Sequence, residues 1–300
     1  MPSVLVRKYL KFHHHLLALL TPIFCRYRWV KRIIGHKGPQ LRVLLYHDVS
    51  AEQLQSFCEQ LKSLSQTWHF LTPCEFESVI SGTSQLRQDS LLLTFDDGFK
   101  SNRVLAEEVL GPMNIKAIFF LVPDLLSAID REMSRALIAK NIYPNTKDQD
   151  MPQNWCGMTW DDAKWLLENG HEIGSHTMTH ARLSCIDSKA ELINEINTSG
   201  NTLSRRLNVE IKHFAYTFGN IESFSYDAFR LAAERYKFIH SGLRGNNKTG
   251  NSRIAIRRDA VKAIDSINLI FAFLAGMADF RYKKSLARLD DWAIQVEYSK

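Results

Sequence analysis

The chain has 300 residues, 45% of them hydrophobic and 11% aromatic, which is enough to bury one large core. Its net charge of +6 is unevenly placed, because residues 1–47 hold nine Lys and Arg and no Asp or Glu. The remainder has twenty-nine basic against thirty-two acidic residues. No nucleic-acid-binding motif accompanies the basic segment, so we expect no nucleic acid partner.

The basic segment, residues 1–40, contains an apolar run over residues 16–24 that Pro22 interrupts. A bilayer-spanning helix needs about 20 apolar residues, so we expect no transmembrane anchor. No small-residue cleavage site follows the run, which disfavours secretion. Basic side chains interleaved with aromatic ones are typical of peripheral association with an anionic membrane, and a solvated tail is the alternative.

The cysteines indicate the redox compartment. Five are scattered along the chain without a C-x-x-C pair, and the pattern favours reduced thiols, although a disulfide between Cys58 and Cys74 stays open. We therefore expect the chain in the cytoplasm or at the cytoplasmic face of the inner membrane.

Short apolar runs alternate with segments of helical spacing from residue 43 onward. We expect strands at 43–46, 91–95, 117–122, 172–174, 213–216 and 237–240. We expect helices at 51–65, 100–110, 160–169, 188–207 and 225–235. Strands that are apolar on both faces and separated by helices form parallel sheets, which predicts an α/β barrel or a doubly wound sheet.

Two segments depart from this alternation. Residues 127–158 are polar, and because long loops in compact domains are usually functional, we interpret them as an insertion or lid that walls one side of a groove. Residues 261–300 are expected to form a C-terminal helical extension, with Trp292 as a packing anchor.

The strongest chemical signal is the pair Asp96 and Asp97, which directly follows an apolar strand. Adjacent carboxylates repel each other unless a cation lies between them. A metal on Asp97 would leave Asp96 free to take a proton from water. The alternative is an ordinary helix N-terminus, where aspartate also suits the helix dipole.

The second signal is the pair His176 and His180, four residues apart. One turn of helix would point both imidazoles to one side at a spacing that chelates zinc. Two histidines and one aspartate leave coordination positions open, as a catalytic zinc requires. The pair alone is weak evidence, since the chain has eleven histidines.

The segments T-F-D-D-G at residues 94–98 and G-H-E-I-G-S-H-T-M-T-H at residues 170–180 together resemble the polysaccharide deacetylase family, the NodB-homology carbohydrate esterases. The resemblance implies a single catalytic domain over residues 41–260 with a distorted (β/α) barrel. It also implies one divalent metal ion, most simply Zn²⁺, with Asp96 as catalytic base and with the metal bound by Asp97, His176 and His180.

The segment F-A-Y-T-F-G at residues 214–219 resembles the family's oxyanion-binding turn, with Thr217 where the family usually has proline. The resemblance assigns Tyr216, Phe218 and Gly219 to the substrate and oxyanion region. A plain strand exit is the alternative.

The family's usual C-terminal histidine acid has no counterpart, because no histidine follows His240. The run V-L-L-Y-H-D at residues 43–48 resembles the opening strand of members with permuted motif order, in which its histidine takes the acid role. We therefore predict His47 as catalytic acid, oriented by Asp48, with His240 as the alternative.

The segment Arg257-Arg258-Asp259 resembles the late arginine segment of the permuted members, which lies near the catalytic aspartate. A guanidinium fork would keep Asp96 ionised and oriented, and the sequence does not distinguish Arg257 from Arg258. A solvated basic pair is the alternative.

The sequence thus predicts a metal-dependent hydrolase that removes N-acetyl groups from an amino-sugar polysaccharide or glycan precursor of the cell envelope. The alternatives are a deformylase or deacylase of a lipid-linked amino sugar, and a non-catalytic glycan-binding protein on a deacetylase scaffold. A two-carboxylate glycosidase is disfavoured, because its acid and base lie about 5 to 9.5 Å apart across a sugar, which suits Asp96 and Asp97 poorly.

Overall fold

The computed structural model describes residues 38–146, 152, 154–247 and 252–299. The membrane-surface prediction for the basic N-terminal segment therefore lies almost wholly outside the described residues. Among the helices that are described, none is long and apolar enough to cross a bilayer. The described cysteines are free thiols, so the Cys58–Cys74 disulfide does not form; they are Cys58, Cys74, Cys156 and Cys185.

Parallel strands form one curled sheet whose neighbours follow chain order almost throughout. The strands are β1 (Leu41–Tyr46), β2 (His69–Phe70), β3 (Ser90–Phe95), β4 (Ala117–Leu121), β5 (Glu172–Ser175), β6 (His213–Ala215), β7 (Phe238–His240) and β8 (Asp259–Ala260). The order is β7-β6-β5-β4-β3-β1-β8, and the short β2 pairs with the start of β3. Such sequential order is that of a barrel sheet.

The segment 253–261 joins the two ends of this sheet. On one side Ile256 donates its N–H to the Ile239 carbonyl at 2.9 Å, next to β7. On the other side Val261 donates to the Leu45 carbonyl of β1 at 3.0 Å. The sheet therefore curls into the distorted (β/α) barrel of a single domain, which confirms the fold that the family resemblance implies.

Helices surround the sheet. They are α1 (Leu54–Leu64), α2 (Pro73–Ile80), α3 (Lys100–Leu105), α4 (Pro123–Leu126), α5 (Arg131–Leu137), α6 (Trp160–Glu168), α7 (Lys189–Ile193), α8 (Ser199–Leu207), α9 (Tyr226–Arg235), α10 (Ile267–Leu274) and α11 (Lys283–Tyr298). Single π-helical turns extend α3, α5 and α7, at Ala106–Leu110, Ile138–Ile142 and Asn194–Thr198. The last of these turns joins α7 to α8.

The core lies between the strands and the helices. Phe95 stacks on Phe119 from the neighbouring strand, with ring centroids 4.9 Å apart. The C-terminal extension is held by Trp292, which is buried and whose ring lies 5.9 Å from Tyr226 and 5.8 Å from Phe229. The predicted packing anchor is thereby confirmed, and α11 closes over α9.

The first strand differs from the prediction because it begins with a buried charge. Arg42 is fully buried in β1, and its guanidinium lies 2.6 Å from Asp259 and 2.8 Å from Asp279. A charge is tolerated in a protein interior only when it is paired in this way. The apolar pattern could not reveal Arg42 as part of a strand, and it also missed β8, which provides Asp259.

Acidification is expected to destabilise the fold through His171, which is only 4% exposed just before β5. Burial, together with the charge of Lys116, lowers the pKa of His171 from 6.5 to about 4. Below pH 6.5 the unfolded chain binds a proton that the folded chain does not accept until about pH 4. Stability present above pH 6.5 is therefore lost as the pH falls, by about 3 kcal/mol across this range.

Urea unfolding at pH 7, 6 and 5 measures this dependence. The matched variant is His171→Asn, because an asparagine oxygen can still accept the Ala117 N–H that His171 Nδ1 accepts at 3.2 Å. We expect the variant to lose less stability than the wild type between pH 7 and 5. An equal loss in both proteins contradicts the prediction.

Candidate active site

Polar side chains meet at the carboxyl ends of the parallel strands, the end at which (β/α) barrels build active sites. Each lies one or two residues after a strand that is buried at its carboxyl end. The residues so placed are His47 and Asp48 after β1, Asp96 and Asp97 after β3, His176 after β5, and Tyr216 after β6.

The Asp97 carboxylate lies between two imidazoles. Its Oδ1 atom is 3.4 Å from His176 Nε2 and 3.2 Å from His180 Nε2, and all three residues are buried. Their ligand atoms lie within 4.8 Å of one another. The structure thus brings together the three residues that the sequence predicts as metal ligands.

Hydrogen bonds fix which nitrogen of each histidine faces the aspartate. His176 Nδ1 lies 2.7 Å from the Ala215 carbonyl, and His180 Nδ1 lies 3.0 Å from the Asn141 carbonyl. Because a carbonyl only accepts, both Nδ1 atoms carry protons, and in the neutral rings each Nε2 presents a lone pair to Asp97. Backbone carbonyls orient metal-binding histidines in the same way.

The Asp97 carboxylate has the properties of a metal ligand. Both of its oxygens are buried without a hydrogen-bond partner that meets normal geometry. Burial raises the pKa of Asp97, but His176, His180 and the charge of nearby His47 outweigh it, so the pKa lies well below its ordinary value. A buried carboxylate beside two imidazole Nε2 atoms, each of which offers a lone pair when its ring is neutral, suits a divalent cation such as zinc.

The His176–His180 segment is a loop, and the expected turn of helix is wrong. Thr177 and His180 have φ angles of +65° and +67°, in the left-handed region that L-residues rarely adopt. Asp97 also has a positive φ, +74°. Strained backbone of this kind persists only where surrounding contacts hold it, and it clusters at functional sites.

Glu195 supplies such contacts to the histidine loop. Its carboxylate, 6% exposed, accepts the backbone N–H groups of Met178 and Thr179, both at 3.0 Å, and the Thr179 hydroxyl at 2.9 Å. Glu195 lies in the π-helical turn Asn194–Thr198, and π-helical turns often occur at functional sites. Sequence reasoning missed this residue, because only the fold brings it to the loop.

Replacing Glu195 with alanine is expected to weaken metal binding by about 10- to 100-fold, the usual effect of losing a group that orients a metal ligand. Competition titration with a chromophoric zinc chelator measures the affinity. Glu191→Ala, which removes an exposed carboxylate from α7, is the matched control and should bind zinc like the wild type. Equal zinc affinity in both variants would show that the loop does not depend on Glu195.

Asp96 forms a bidentate ion pair with Arg258. The guanidinium Nη1 and Nη2 atoms donate to the two carboxylate oxygens at 2.6 and 2.9 Å, and both side chains are buried. The Arg258 Nε atom donates to the Ser241 carbonyl at 2.8 Å, which fixes the fork. Arg257 instead pairs with Asp290 at 2.7 Å, so only one of the two predicted arginines contacts Asp96.

His47 is exposed at the end of β1, and its charge acts on Asp97. Its neighbour Asp48 accepts a hydrogen bond from the Ser101 hydroxyl at 2.6 Å and another from the Trp155 side chain. Burial outweighs these bonds and raises the pKa of Asp48. Asp48 therefore holds Trp155 of the insertion, and it makes no hydrogen bond to His47 among the described contacts.

His240, the alternative acid, lies inside the barrel. It is fully buried, and its Nε2 atom lies 3.0 Å from His213 Nδ1. Burial, together with the charges of His213 and Arg258, lowers the pKa of His240 well below its ordinary value. An imidazole that stays neutral has no proton to spare as an acid.

A second group of possible metal ligands lies at the other end of the barrel, where a lysine side chain pairs with its carboxylates. It consists of Glu77, Glu172 and His213. Lys212 places its Nζ atom 2.6 Å from Glu77 and 3.8 Å from Glu172. The lysine ammonium lies within ion-pair distance of both carboxylates, so this group is a structural ion-pair cluster.

The turn after β6 forms despite its missing proline. Thr217 donates its hydroxyl to the Ala181 carbonyl at 2.6 Å, which ties the turn to the histidine loop. Phe218 and Gly219 have φ angles of +63° and +70°. The Tyr216 N–H, predicted to face an oxyanion, donates to the His240 carbonyl over a long 3.4 Å, and a bond of that length is weak.

The insertion at 127–158 contributes directly to the site. Its Asn141 carbonyl orients His180, and its Tyr143 ring stacks on Trp155 with centroids 4.8 Å apart. Phe99, just after the Asp96–Asp97 turn, packs on both of these rings at 6.2 and 6.3 Å. The described part of the insertion thus forms a wall beside the metal ligands.

A family model for polysaccharide deacetylases matches residues 83–236, just over half of the chain. The chain therefore belongs to the polysaccharide deacetylase family, as its motifs indicate, and it is a deacetylase by class. No curated protein matches it.

Solved structures share the fold at low sequence identity. The structure of IcaB from Ammonifex degensii is 22% identical, with a TM-score of 0.61 over 80% of this chain and 98% of that one. The Streptococcus pyogenes deacetylase PplD, in complex with acetate, is 20% identical, with a TM-score of 0.62 over 79% and 99%. A de-N-acetylase from Aggregatibacter actinomycetemcomitans is 18% identical, with a TM-score of 0.61 over 78% and 99%.

Proposed function

We propose that the chain is a metal-dependent N-deacetylase that converts the N-acetyl amino sugars of a polysaccharide or glycan precursor to free amines. The observation that carries the proposal is the buried Asp97 carboxylate, which faces two histidine nitrogens and has no hydrogen-bond partner of normal geometry. The neighbouring Asp96–Arg258 ion pair fixes a second carboxylate at the same strand end. Family membership supports the same reaction class.

Asp97, His176 and His180 would hold the cation, through one carboxylate oxygen and two Nε2 atoms. A divalent cation supplies Lewis acidity for a carbonyl oxygen and lowers the pKa of water. The protein's part is to keep these ligands fixed, and the two backbone carbonyls on the histidine Nδ1 atoms do so.

Asp96 acts as general base and takes the proton of the attacking water. Arg258 fixes the position and orientation of this carboxylate through its two hydrogen bonds. His47 donates a proton to the departing nitrogen, which leaves as the amine of the sugar. The backbone N–H of Tyr216, whose bond within the sheet is weak, is the protein donor for the oxyanion.

Acetate release from N-acetylglucosamine oligosaccharides by the zinc-loaded protein tests this proposal. We expect stoichiometric acetate and free amine, and no formate from the matching N-formyl sugar beyond the uncatalysed rate. Formate release in place of acetate would favour the deformylase alternative. Tight glycan binding without release of either acid would favour a non-catalytic glycan-binding protein.

A further inference from the structure

An arginine and an aromatic ring lie together next to the metal ligands. The Phe218 ring packs against the His180 ring with centroids 5.1 Å apart. The Arg182 guanidinium carbon lies 4.0 Å from the centroid of the same Phe218 ring. These two distances place a guanidinium within the length of a disaccharide from the reaction centre.

Among the residues that the structure describes, no acidic side chain pairs with Arg182. The guanidinium has one described contact, the Phe218 ring, and the Arg182 carbonyl accepts the Cys185 N–H at 3.0 Å. Two other arginines of the barrel behave differently, since Arg258 pairs with Asp96 and Arg244 lies 3.5 Å from Asp259. A half-buried guanidinium beside an active site, with no acid partner in the described part of the chain, is available to bind an anion.

The position of the ring is imposed by the backbone. Phe218 has a φ angle of +63°, which is uncommon for a residue with a side chain, and its ring remains 41% exposed. The following Gly219 is also left-handed, at +70°, and a Cβ there would lie 2.8 Å from the Gly242 backbone. The Thr217–Ala181 hydrogen bond then holds this turn against the loop that carries Arg182.

A guanidinium stacked on a ring keeps its N–H donors in a plane that extends past the ring edge. This geometry suits a bidentate bond to a carboxylate or phosphate, and the stack lowers the entropy cost of orienting a long side chain. A neutral sugar hydroxyl gains less from such a donor, because it has a single oxygen and no charge opposite to that of the guanidinium.

We infer that Arg182, supported by Phe218, forms an anion subsite, and that the substrate carries a carboxylate or phosphate on the sugar next to the one that is deacetylated. This inference rests on the proposed function, since the subsite is defined by its distance from the deacetylase centre. It narrows the substrate class from any N-acetylated glycan to an anionic one.

Binding and turnover of three probes test the subsite. The probes are a neutral N-acetylglucosamine tetrasaccharide, a tetrasaccharide that alternates N-acetylglucosamine with glucuronate, and a phosphodiester-linked N-acetylglucosamine dimer. Binding is measured by calorimetry in the zinc-loaded Asp96→Asn background, and turnover by acetate release from the wild-type background. Each is repeated with Arg182→Met, which keeps a side chain on the ring, and with Arg182→Lys.

We expect Arg182→Met to raise KM and Kd for an anionic probe by about 10- to 100-fold, with little change in kcat or in any constant for the neutral probe. Arg182→Lys should recover part of the loss. The anionic probe whose affinity falls more on Arg182→Met shows whether the subsite binds a carboxylate or a phosphate. The matched control is Arg288→Met, because Arg288 stacks on Trp292 in α11 at 4.9 Å and its loss removes the same charge.

The failures are distinguishable. If anionic and neutral probes bind equally and Arg182→Met changes neither, the subsite is refuted, while acetate release would still support the deacetylase. If Arg182-dependent binding of an anionic probe is seen but no probe releases acetate, the subsite stands and the proposed reaction fails.

Discussion

Replacing Asp96 with asparagine is expected to lower kcat by about 10²- to 10⁴-fold, the contribution that a positioned general base makes. The amide cannot accept the proton of the attacking water, although its oxygen still accepts one of the two hydrogen bonds from Arg258. Metal binding should persist, because the three ligands are on other side chains. Steady-state acetate release and zinc content of the same preparation measure both effects.

The substitution also leaves the buried Arg258 charge without a full partner, which costs stability. Zinc content and a cooperative thermal transition therefore have to be recorded beside the rate. Asp161→Asn is the matched control, since Asp161 is an exposed carboxylate at the start of α6. A folded, zinc-loaded Asp96→Asn protein with wild-type kcat would remove Asp96 from the mechanism.

The double variant His176→Ala/His180→Ala is expected to lose both bound metal and activity, by more than about 100-fold in zinc affinity. The limit follows because loss of a group that merely orients a ligand already costs 10- to 100-fold. Elemental analysis of purified protein should give about one zinc per wild-type chain. In the variant the zinc content should fall to background.

Metal should also stabilise the fold, because it neutralises the buried Asp97 carboxylate. With free zinc at 100 times Kd, linkage predicts about 2.7 kcal/mol and a rise in Tm of about 5 to 10 °C for the wild type, reversed by chelator. The double variant should show no shift, whereas His69→Ala, which removes an exposed histidine, should shift like the wild type. A zinc-dependent shift that survives in the double variant would place the metal elsewhere.

The pattern of apolar and polar residues along the sequence predicted most of the fold. Largely apolar runs such as Leu91–Phe95, separated by helices, are typical of a parallel sheet that is covered on both faces, so the sequence pattern predicted the strand type. Strand ends were accurate to one or two residues. The exceptions were β2 and β8, whose two residues each are too short to show any period, and Arg42, whose charge hides it within β1.

The prediction that His176 and His180 lie on one turn of helix was wrong because of the backbone that precedes and follows His176. A spacing of four residues is compatible with one helical turn, but β5 continues to Ser175 and leaves no room for a helix before Thr177 turns left-handed. The residues were identified from their chemical type and the family motif, while their relative geometry depends on contacts with Glu195 and Asn141. Those contacts lie 15 or more residues away and leave no local signal.

The sequence by itself determined the family, the strand-helix alternation, and the identity of the Asp97, His176 and His180 set, because residue type and strand-end position suffice for these. Only the tertiary structure decided which arginine meets Asp96. Arg257 and Arg258 are neighbours of the same type, but the segment that closes the barrel turns the second inward to Asp96 and the first outward to Asp290. Arg182 and Phe218, 36 residues apart, likewise meet only because two strand-end loops converge. The fold determines which residues distant in sequence come into contact, and these contacts cannot be predicted from periodicity or composition.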